Sequence, residues 1–237
     1  MSQRKPWFLS LVRRYVHRRL RREFDGVWVA GLSEAAALLR QGPVIFAPTH
    51  VSWWDAFLVV AVDQALDSTS HCLMDAENLR KLPFFGWIGA LPIDRAGGAR
   101  ARAGLLAGAQ RAQKPGEALW VFPQGRQRPS HLRPLDLQPG IRLVERLSPA
   151  PIVPVALTYL FRQTERPAAL LRFGRPISGP LLPDLEAALI DGLSEIDRFV
   201  DTGQGPFVPL IGGPATAAQA GIGARALVSL HRPEVQP

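Results

Sequence analysis

The chain has 237 residues, 47% of which are hydrophobic, and its formal net charge is +8. This length and composition fit one α/β domain with short appendages and a sizeable core. The single cysteine, Cys72, excludes an internal disulfide framework and suits a reducing compartment. We interpret Cys72 as a small core residue of a strand, with a reactive thiol as the alternative.

The positive charge is concentrated at the amino terminus, where residues 1–25 hold eight Lys and Arg against two acidic residues. Residues 6–24 are predicted to form a helix. Its apolar face carries Trp7, Phe8, Leu11, Val12 and Tyr15. A basic helix with such a face is typical of a segment that lies in a membrane interface. A charged helix packed on its own domain and a nucleic-acid-binding segment are the alternatives, although no nucleic-acid motif accompanies it.

Neither of the two usual hydrophobic targeting elements is predicted. No run of 18 or more apolar residues suggests a transmembrane helix. The apolar run at 7–12 is short, and arginines follow it where a signal peptide would have a small-residue cleavage site. We therefore expect the amino-terminal helix to lie on a membrane and not to cross it.

The rest of the chain alternates strands and helices. Strands are predicted at 27–31, 43–46, 71–75, 118–122, 152–159 and 170–174, and helices at 34–40, 56–66, 98–113, 140–147 and 185–200. This alternation predicts an α/β fold with a largely parallel central sheet flanked by helices. The strand at 27–31 is expected at an edge, and Pro154 suggests an edge or a bulge.

Three segments follow from this pattern. Residues 1–25 form the basic amphipathic helix, residues 26–201 the main domain, and residues 202–237 a tail. The tail is predicted because Gly and Pro crowd together from Thr202 onward, with at most one short helix over 215–230.

The most informative stretch is 47–55, which follows the strand at 43–46. It places His50 at the carboxyl end of a strand, where α/β proteins usually carry their chemistry. Ser52 is the predicted N-cap of the next helix, with Asp55 at its third position. A strand-to-helix turn can fold Asp55 onto the His50 imidazole, which could then take a proton from a substrate hydroxyl. The alternative is a helix-capping Asp55 beside an interior histidine.

Two further stretches have a composition that suggests a site. Residues 78–95 are rich in aromatic and apolar residues with interleaved Gly and Pro, which favours a buried or membrane-facing loop. They end in the charged pair Asp94 and Arg95, for which an ordinary salt bridge is the alternative. At 122–129, after another strand, a Pro and Gly turn carries Arg126 and Arg128, which could bind an anion or a sugar or could simply be solvated.

In order and spacing, these stretches resemble the glycerolipid (lysophospholipid or 1-acylglycerol-3-phosphate) acyltransferase family. The blocks that carry the resemblance are His50 with Asp55, 83–87 with 93–95, 122–125, and 152–155. The resemblance covers residues 43–159. It implies an α/β acyltransferase domain, peripheral membrane attachment, and acyl transfer from a thioester to a lipid hydroxyl.

The resemblance also implies roles for particular residues. His50 would take the proton of the acceptor hydroxyl, and Asp55 would orient His50. Acceptor binding is assigned to Arg95, Phe122, Pro123, Gln124, Gly125, Arg126 and Arg128. The turn around Gly125 and nearby donors would hold the acceptor or the developing oxyanion.

The implied partners are an acyl donor, a lipid acceptor and a membrane. The donor would be acyl-CoA or an acyl carrier protein, and the membrane surface would contain anionic lipids. No cofactor or metal is expected, because the thioester is already activated and no metal-ligand cluster is seen in the sequence. The expected location is the cytoplasmic face of the cell membrane, without a nucleic-acid partner.

The chain departs from the family pattern in its third block, where Gln124, Arg126 and Gln127 replace the usual Glu, Thr and Arg. Ahead of the second block, Glu77 and Asn78 stand where lysine is common. That lysine and the third-block arginine are associated with the acceptor's phosphate in the family. The acceptor could therefore be a lysophospholipid, or a sugar hydroxyl of a glycolipid or carotenoid glycoside, which Gln124 and Gln127 would suit. A non-catalytic lipid-binding relative is the alternative of another class.

Overall fold

One eight-stranded mixed sheet with helices on both faces forms the framework of the protein. The computed structural model describes residues 4–212. The elements are α1 (Pro6–Glu23), β1 (Gly26–Ala30), α2 (Leu32–Gln41), β2 (Val44–Pro48), α3 (Asp55–Leu66), β3 (Thr69–Asp75), α4 (Ala76–Lys81), a 3-10 helix (Pro83–Ile88), β4 (Ala90–Ile93), α5 (Gly98–Ala109), β5 (Glu117–Trp120), α6 (Gly140–Leu147), β6 (Ile152–Phe161), β7 (Pro167–Phe173), α7 (Leu181–Thr202) and β8 (Val208–Gly212).

The strand order is β4-β3-β5-β2-β6-β7-β1-β8. The first five strands in this order all run in one direction, because β4, β3, β5, β2 and β6 pair in parallel. Strands β7 and β1 run the opposite way, and β8 pairs antiparallel to β1. The predicted α/β fold with flanking helices is confirmed. The sheet is largely parallel, with antiparallel pairing only between β6 and β7 and between β1 and β8 among the described strands.

Strand β2 separates two layers of the core. Val44 and Phe46 pack into the layer on the first face, which also includes residues of α1, α2 and α3. Ile45 and Ala47 pack into the layer on the second face, with residues of α5, α6 and α7. Both sides of β2 are thus covered, which explains why this strand has a continuous apolar sequence without alternation.

The strand expected at an edge, and the strand for which Pro154 suggested an edge or a bulge, are both inner strands. Strand β1 lies between β7 and β8, and β6, which contains Pro154, lies between β2 and β7. Pro154 is tolerated there because its pairing partner on β7 would lie beyond Phe173, the last residue of that strand. The Pro154 carbonyl accepts a hydrogen bond from the N–H of Gly174. The N–H group that proline lacks would therefore belong to the last position of the hydrogen-bond ladder between β6 and β7.

The predicted tail begins too early. Helix α7 continues to Thr202, and Val208–Gly212 forms the edge strand β8 beside β1. Phe207 is buried and its ring stacks on Phe199, with centroids 4.6 Å apart. Gly203, Gly205 and Pro206 lie in the turn between α7 and β8, and local composition cannot distinguish such a turn from a tail. The helix considered over 215–230 lies outside the described residues.

The segment expected as a loop at 78–95 is mostly regular structure. It contains most of α4, the 3-10 helix and β4, which pairs with β3. Pro83 begins the 3-10 helix, and Gly89, with φ of 115°, ends it. The Gly and Pro residues therefore mark the boundaries of short elements and not one irregular stretch.

The predicted apolar face of α1 is divided between the core and the surface. Val16 and Leu20 are buried, and Phe8 packs on Trp87 with ring centroids 5.2 Å apart. Trp7 and Leu11 remain 65% and 57% exposed. The helix is therefore packed on its own domain while part of its apolar face stays in solvent. Among the described helices, none combines the length and apolarity needed to cross a membrane.

Cys72 lies in β3 and packs against the core layer of the first face. Burial, followed by the charges of Asp63 and Asp55, raises the pKa of its thiol to about 12. A thiol with so high a pKa is not a nucleophile near neutral pH. This supports the interpretation of Cys72 as a core residue.

Candidate active site

The site lies where the parallel strands β2 and β5 end side by side. Their pairing brings the loop after Pro48 next to the loop after Trp120. The imidazole of His50 lies against the ring of Phe122, with centroids 4.4 Å apart. The backbone N–H of Arg128 donates to the His50 carbonyl at 2.8 Å. The His50 side chain is 24% exposed, so a substrate can reach it.

His50 and Asp55 are in direct contact. The imidazole Nδ1 lies 2.6 Å from Asp55 Oδ2. The local helix start differs from the expectation, because the N-cap is Trp54 and Asp55 is the first residue of α3. Ser52 instead accepts a hydrogen bond from Trp54 N–H through its hydroxyl. From the first helical position, the carboxylate can turn back over the preceding loop, which brings it to His50.

Asp55 is almost fully buried, with 1% of its surface exposed. Besides His50, it accepts hydrogen bonds from the N–H groups of Val51 at 2.8 Å and Ser52 at 3.1 Å. The hydroxyl of Tyr159 donates to Asp55 Oδ1 at 2.6 Å. A buried carboxylate without donors would be very unfavourable, and these neutral donors stabilise it without an arginine or lysine.

This arrangement determines which imidazole nitrogen can act as a base. Asp55 is an acceptor, so the shared hydrogen lies on His50 Nδ1, and Nε2 keeps its lone pair. Burial, with the charge of Asp55 and the hydrogen bond to it, raises the pKa of Tyr159 far above its ordinary value. Tyr159 therefore keeps its hydroxyl proton near neutral pH and remains a hydrogen-bond donor to the carboxylate.

Tyr159 is the site residue that the sequence analysis missed. It lies on β6, which pairs directly with β2, the strand that precedes His50. A signal was present, because a tyrosine near the end of a buried apolar strand needs a partner for its hydroxyl. The sequence does not say which partner. Thr49 attaches the loop to the same strand, since its hydroxyl donates to the Leu157 carbonyl at 2.7 Å and accepts from the Leu157 N–H at 2.8 Å.

Gln124 is buried against the backbone of the His50 loop and does not lie on an exposed surface. Only 3% of its surface is exposed. Its Oε1 accepts the His50 N–H at 2.6 Å, and its Nε2 donates to the Leu135 carbonyl at 3.0 Å. Both ends of the amide are thus used inside the protein. The acceptor contact expected of Gln124 is not supported, and the residue instead joins two loops around His50.

Pro123 and Gly125 shape the turn after β5. Gly125 has φ of 64°, and its N–H donates to the Phe122 carbonyl at 3.0 Å. The Pro123 carbonyl accepts the N–H of Gln138 at 2.7 Å. The Gly125 N–H is therefore used within the turn, and the role of this turn and its nearby donors in holding the acceptor or the oxyanion stays a prediction. The guanidinium groups of the same loop are the remaining charged donors.

Those guanidinium groups share one carboxylate. Arg126 Nη2 lies 2.8 Å and Arg128 Nη1 lies 3.4 Å from Asp136 Oδ2. The hydrogen bond from Arg126, together with the charges of both arginines, lowers the pKa of Asp136. The Arg128 side chain is only 16% exposed, and its buried Nη1 makes no hydrogen bond among the described residues. This loop is therefore a place where a second anion could be bound.

Arg95 is not brought to this cluster. It follows β4, three strands away from β2, and its guanidinium lies 3.6 Å from the carboxylate of Asp75. The ordinary ion pair considered for this segment thus exists, with Asp75 as the partner and not Asp94. Residues 4–212 contain no group of three or more His, Cys, Asp or Glu side chains arranged as a metal site.

Comparison with known proteins agrees with this geometry. The family model described as Acyltransferase matches residues 13–158, which is more than half of the chain. A 1-acyl-sn-glycerol-3-phosphate acyltransferase of Saccharomyces cerevisiae (strain ATCC 204508 / S288c) is 31% identical over 126 residues. The match covers 51% of this chain and 40% of the yeast protein. Because the family model matches more than half of the chain, the chain belongs to the acyltransferase family.

Proposed function

We propose that this protein is an O-acyltransferase that moves a fatty acyl group from an acyl thioester to the hydroxyl of a lysophospholipid, such as 1-acylglycerol-3-phosphate. The observation that carries the proposal is the His50–Asp55 contact of 2.6 Å beside an accessible imidazole. The family membership and the printed activity of the yeast relative support the same chemistry.

The reaction uses His50 first as a base and then as an acid. Nε2 takes the proton of the acceptor hydroxyl while the hydroxyl oxygen attacks the thioester carbonyl. The imidazolium is stabilised by Asp55, which stays ionised. When the tetrahedral intermediate collapses, the carbon–sulfur bond breaks and the imidazolium returns its proton to the leaving thiolate. The products are an ester and a thiol, and no oxidant or metal is consumed.

A phosphate-bearing acceptor suits the loop better than a sugar. Gln124, which favoured a sugar hydroxyl in the sequence, has both polar ends engaged internally. Arg126 and Arg128 lie in the same loop, and Arg128 is anchored to the His50 carbonyl through its backbone. A guanidinium group matches phosphate oxygens in both charge and geometry. A glycolipid or carotenoid-glycoside acceptor is therefore not favoured.

Attachment to a membrane surface containing anionic lipids is part of the proposal. The exposed side chains of Trp7, Leu11 and Tyr15 lie on α1, and Tyr15 contacts Phe57 with ring centroids 6.1 Å apart. Phe57 in turn contacts Trp53, which is 55% exposed in the His50 loop. A series of aromatic contacts thus connects the exposed part of α1 with the exposed Trp53 of the His50 loop. Each basic residue near an anionic leaflet adds about 1 kcal/mol to the free energy of membrane binding. We propose that this leaflet is the cytoplasmic face of the cell membrane.

The test is acyl transfer from labelled palmitoyl-CoA to 1-acylglycerol-3-phosphate in liposomes. We expect His50→Ala to lower kcat by about 10³-fold, because the general base is lost. Its binding to liposomes should remain unchanged. The matched control is His17→Ala, since His17 is exposed on α1. Transfer that persists in His50→Ala would contradict the mechanism. Liposome binding without transfer by the wild type from either type of donor would favour a non-catalytic lipid-binding protein.

A further inference from the structure

A second basic region lies outside the amino-terminal helix. Residues 95–147 contain ten Lys and Arg against three Asp and Glu, a net charge of +7. Residues 1–25 carry +6 of the total of +8, so the residues outside these two regions have a net charge of −5. The charge of the main domain is therefore unevenly distributed, and its positive part coincides with α5, α6 and the loop between β5 and α6.

These elements lie on the second face of the sheet, opposite α1. Leu105 and Ala109 of α5 and Ile141 and Val144 of α6 pack into the second core layer, whereas Val16 and Leu20 of α1 pack into the first. The two basic regions are thus separated by the sheet. Because they lie on opposite faces of the sheet, we assign them different partners.

The amino-terminal ends of α5 and α6 lie at the same edge of the sheet as His50. Helix α5 follows β4, and α6 follows the loop after β5, and both strands run parallel to β2. The helices lie side by side in the same direction. Gly140, the first residue of α6, faces Leu105 in the second half of α5, and the Ser148 hydroxyl donates to the Ala112 carbonyl at 3.1 Å just beyond the ends of both helices. Their outer surface therefore leads to the edge that carries the site.

Several arginines on this surface have no acidic partner. Arg102, Arg142 and Arg146 are exposed, and none forms an ion pair or a side-chain hydrogen bond within residues 4–212. Leu106 and Leu147 lie among them and are 41% and 40% exposed. Neither α5 nor α6 contains an aromatic residue. This combination differs from the Trp-rich membrane-type surface of α1 and fits an acidic protein with a small apolar patch.

We propose that the outer surface of α5 and α6, defined by Arg102, Leu106, Arg142, Arg146 and Leu147, docks an acidic acyl carrier protein that delivers the acyl thioester. The inference rests on the proposed function, since it identifies the donor of that reaction. Complementary charge steers the carrier to this surface, and its flexible prosthetic arm brings the thioester over the sheet edge to His50.

The experiment compares two donors with the full chain in liposomes that contain 1-acylglycerol-3-phosphate. The variant is the double charge reversal Arg102→Glu/Arg142→Glu. Its matched control is Arg40→Glu/Arg198→Glu, which has the same net charge and reverses exposed arginines on α2 and α7. The donors are palmitoyl-CoA and a palmitoylated acyl carrier protein of a type II fatty-acid synthase.

We expect the variant to lower kcat/KM by at least ~10-fold with the carrier-protein donor, mainly through KM, and to leave palmitoyl-CoA activity within about twofold. The control should retain activity with both donors. Equal losses with both donors, no loss with either, or a loss with palmitoyl-CoA alone would overturn the inference. The last result would assign the surface to the phosphates of CoA.

A binding measurement separates this inference from the proposed function. The unacylated carrier protein is titrated against fluorescently labelled wild type and both variants at low and high salt. We expect salt-sensitive binding to the wild type and the control, and weaker binding to the Arg102→Glu/Arg142→Glu variant. Absence of wild-type binding overturns the docking surface even if palmitoyl-CoA is a substrate. Failure of transfer from both donors overturns the proposed function even if the carrier protein binds.

Discussion

Helix α3 carries two buried aspartates whose surroundings differ. Asp55, at its first position, is bound to the partly exposed His50 and to Tyr159. Asp63, two turns further along, is 8% exposed. Its Oδ1 accepts hydrogen bonds from the Ser70 hydroxyl at 2.6 Å and from the indole N–H of Trp120 at 2.9 Å. Both carboxylates are well hydrogen-bonded, but only Asp55 is bonded to a base that a substrate can reach.

The comparison shows that burial and hydrogen bonding alone do not connect a carboxylate to a group that a substrate can reach. Burial raises the pKa of Asp63 to about 6, although hydroxyl and indole donors oppose the shift. Its partners on β3 and β5 are themselves enclosed, so Asp63 connects α3 to the sheet. Asp55 is also buried, but the imidazole to which it is hydrogen-bonded is partly exposed.

Asp55→Asn should have the largest effect among the substitutions that test this comparison. An amide cannot stabilise the imidazolium as a carboxylate does, and it can bind His50 in the wrong tautomer. We expect kcat to fall by about 10²–10⁴-fold with little change in KM, measured by palmitoyl transfer at saturating acceptor. A fall of less than about fivefold would show that Asp55, like Asp63, is chiefly structural.

Gln124→Met should have the next largest effect. The side chain keeps its approximate size, but the His50 N–H and the Leu135 carbonyl lose their hydrogen-bond partners. Each buried group left without a partner costs about 1–3 kcal/mol of stability. We expect kcat to fall by about 10–100-fold, with the KM for the acceptor unchanged. The matched control is Gln127→Met, because Gln127 is exposed in the same loop. A raised acceptor KM with normal kcat would instead place Gln124 in contact with the acceptor.

Tyr159→Phe removes one donor from Asp55 and leaves the His50 contact in place. The loss of one hydrogen bond to a charged group corresponds to about 1.5–3 kcal/mol at most. We expect kcat to fall by about 10-fold, because only part of this energy bears on the transition state. Tyr15→Phe, at the exposed tyrosine of α1, is the control. Unchanged kcat in Tyr159→Phe would show that the backbone donors alone are sufficient to hold Asp55.

Asp63→Asn should have the smallest effect on activity, within about twofold, and should instead alter the pH dependence of stability. Since the pKa of Asp63 is raised from 3.8 to about 6, the folded state binds this proton more tightly than the unfolded state. The contribution of Asp63 to stability is therefore present at low pH and is lost as the pH rises from about 4 to about 6.

Denaturant unfolding of wild type and Asp63→Asn at a series of pH values measures this contribution. We expect wild-type stability, relative to the variant, to decrease as the pH rises through that window. His71 has the opposite slope, because burial lowers its pKa to about 4, but it is present in both proteins and drops out of the difference. A pH-independent difference, or a large loss of transfer activity, would remove the distinction between the two ends of α3.

The sequence alone was sufficient to predict the contact between His50 and Asp55 and much of the secondary structure. Helix α6 was predicted at 140–147, the bounds that the structure has. The spacing of His50 and Asp55 at a strand-to-helix turn indicated their contact. These features depend on apolar periodicity and on residues within one turn of each other, so they are encoded over short stretches of the chain.

Tertiary structure decided which distant residues complete those features. Tyr159 reaches Asp55 from 104 positions along the chain, and Gln124 reaches His50 from 74 positions away. Strand β8 exists because β1 offers an edge to which it pairs, although its own sequence is rich in turn residues. Local preferences determine the conformation of a segment, whereas strand neighbours and the partners of buried polar groups depend on how the whole chain packs.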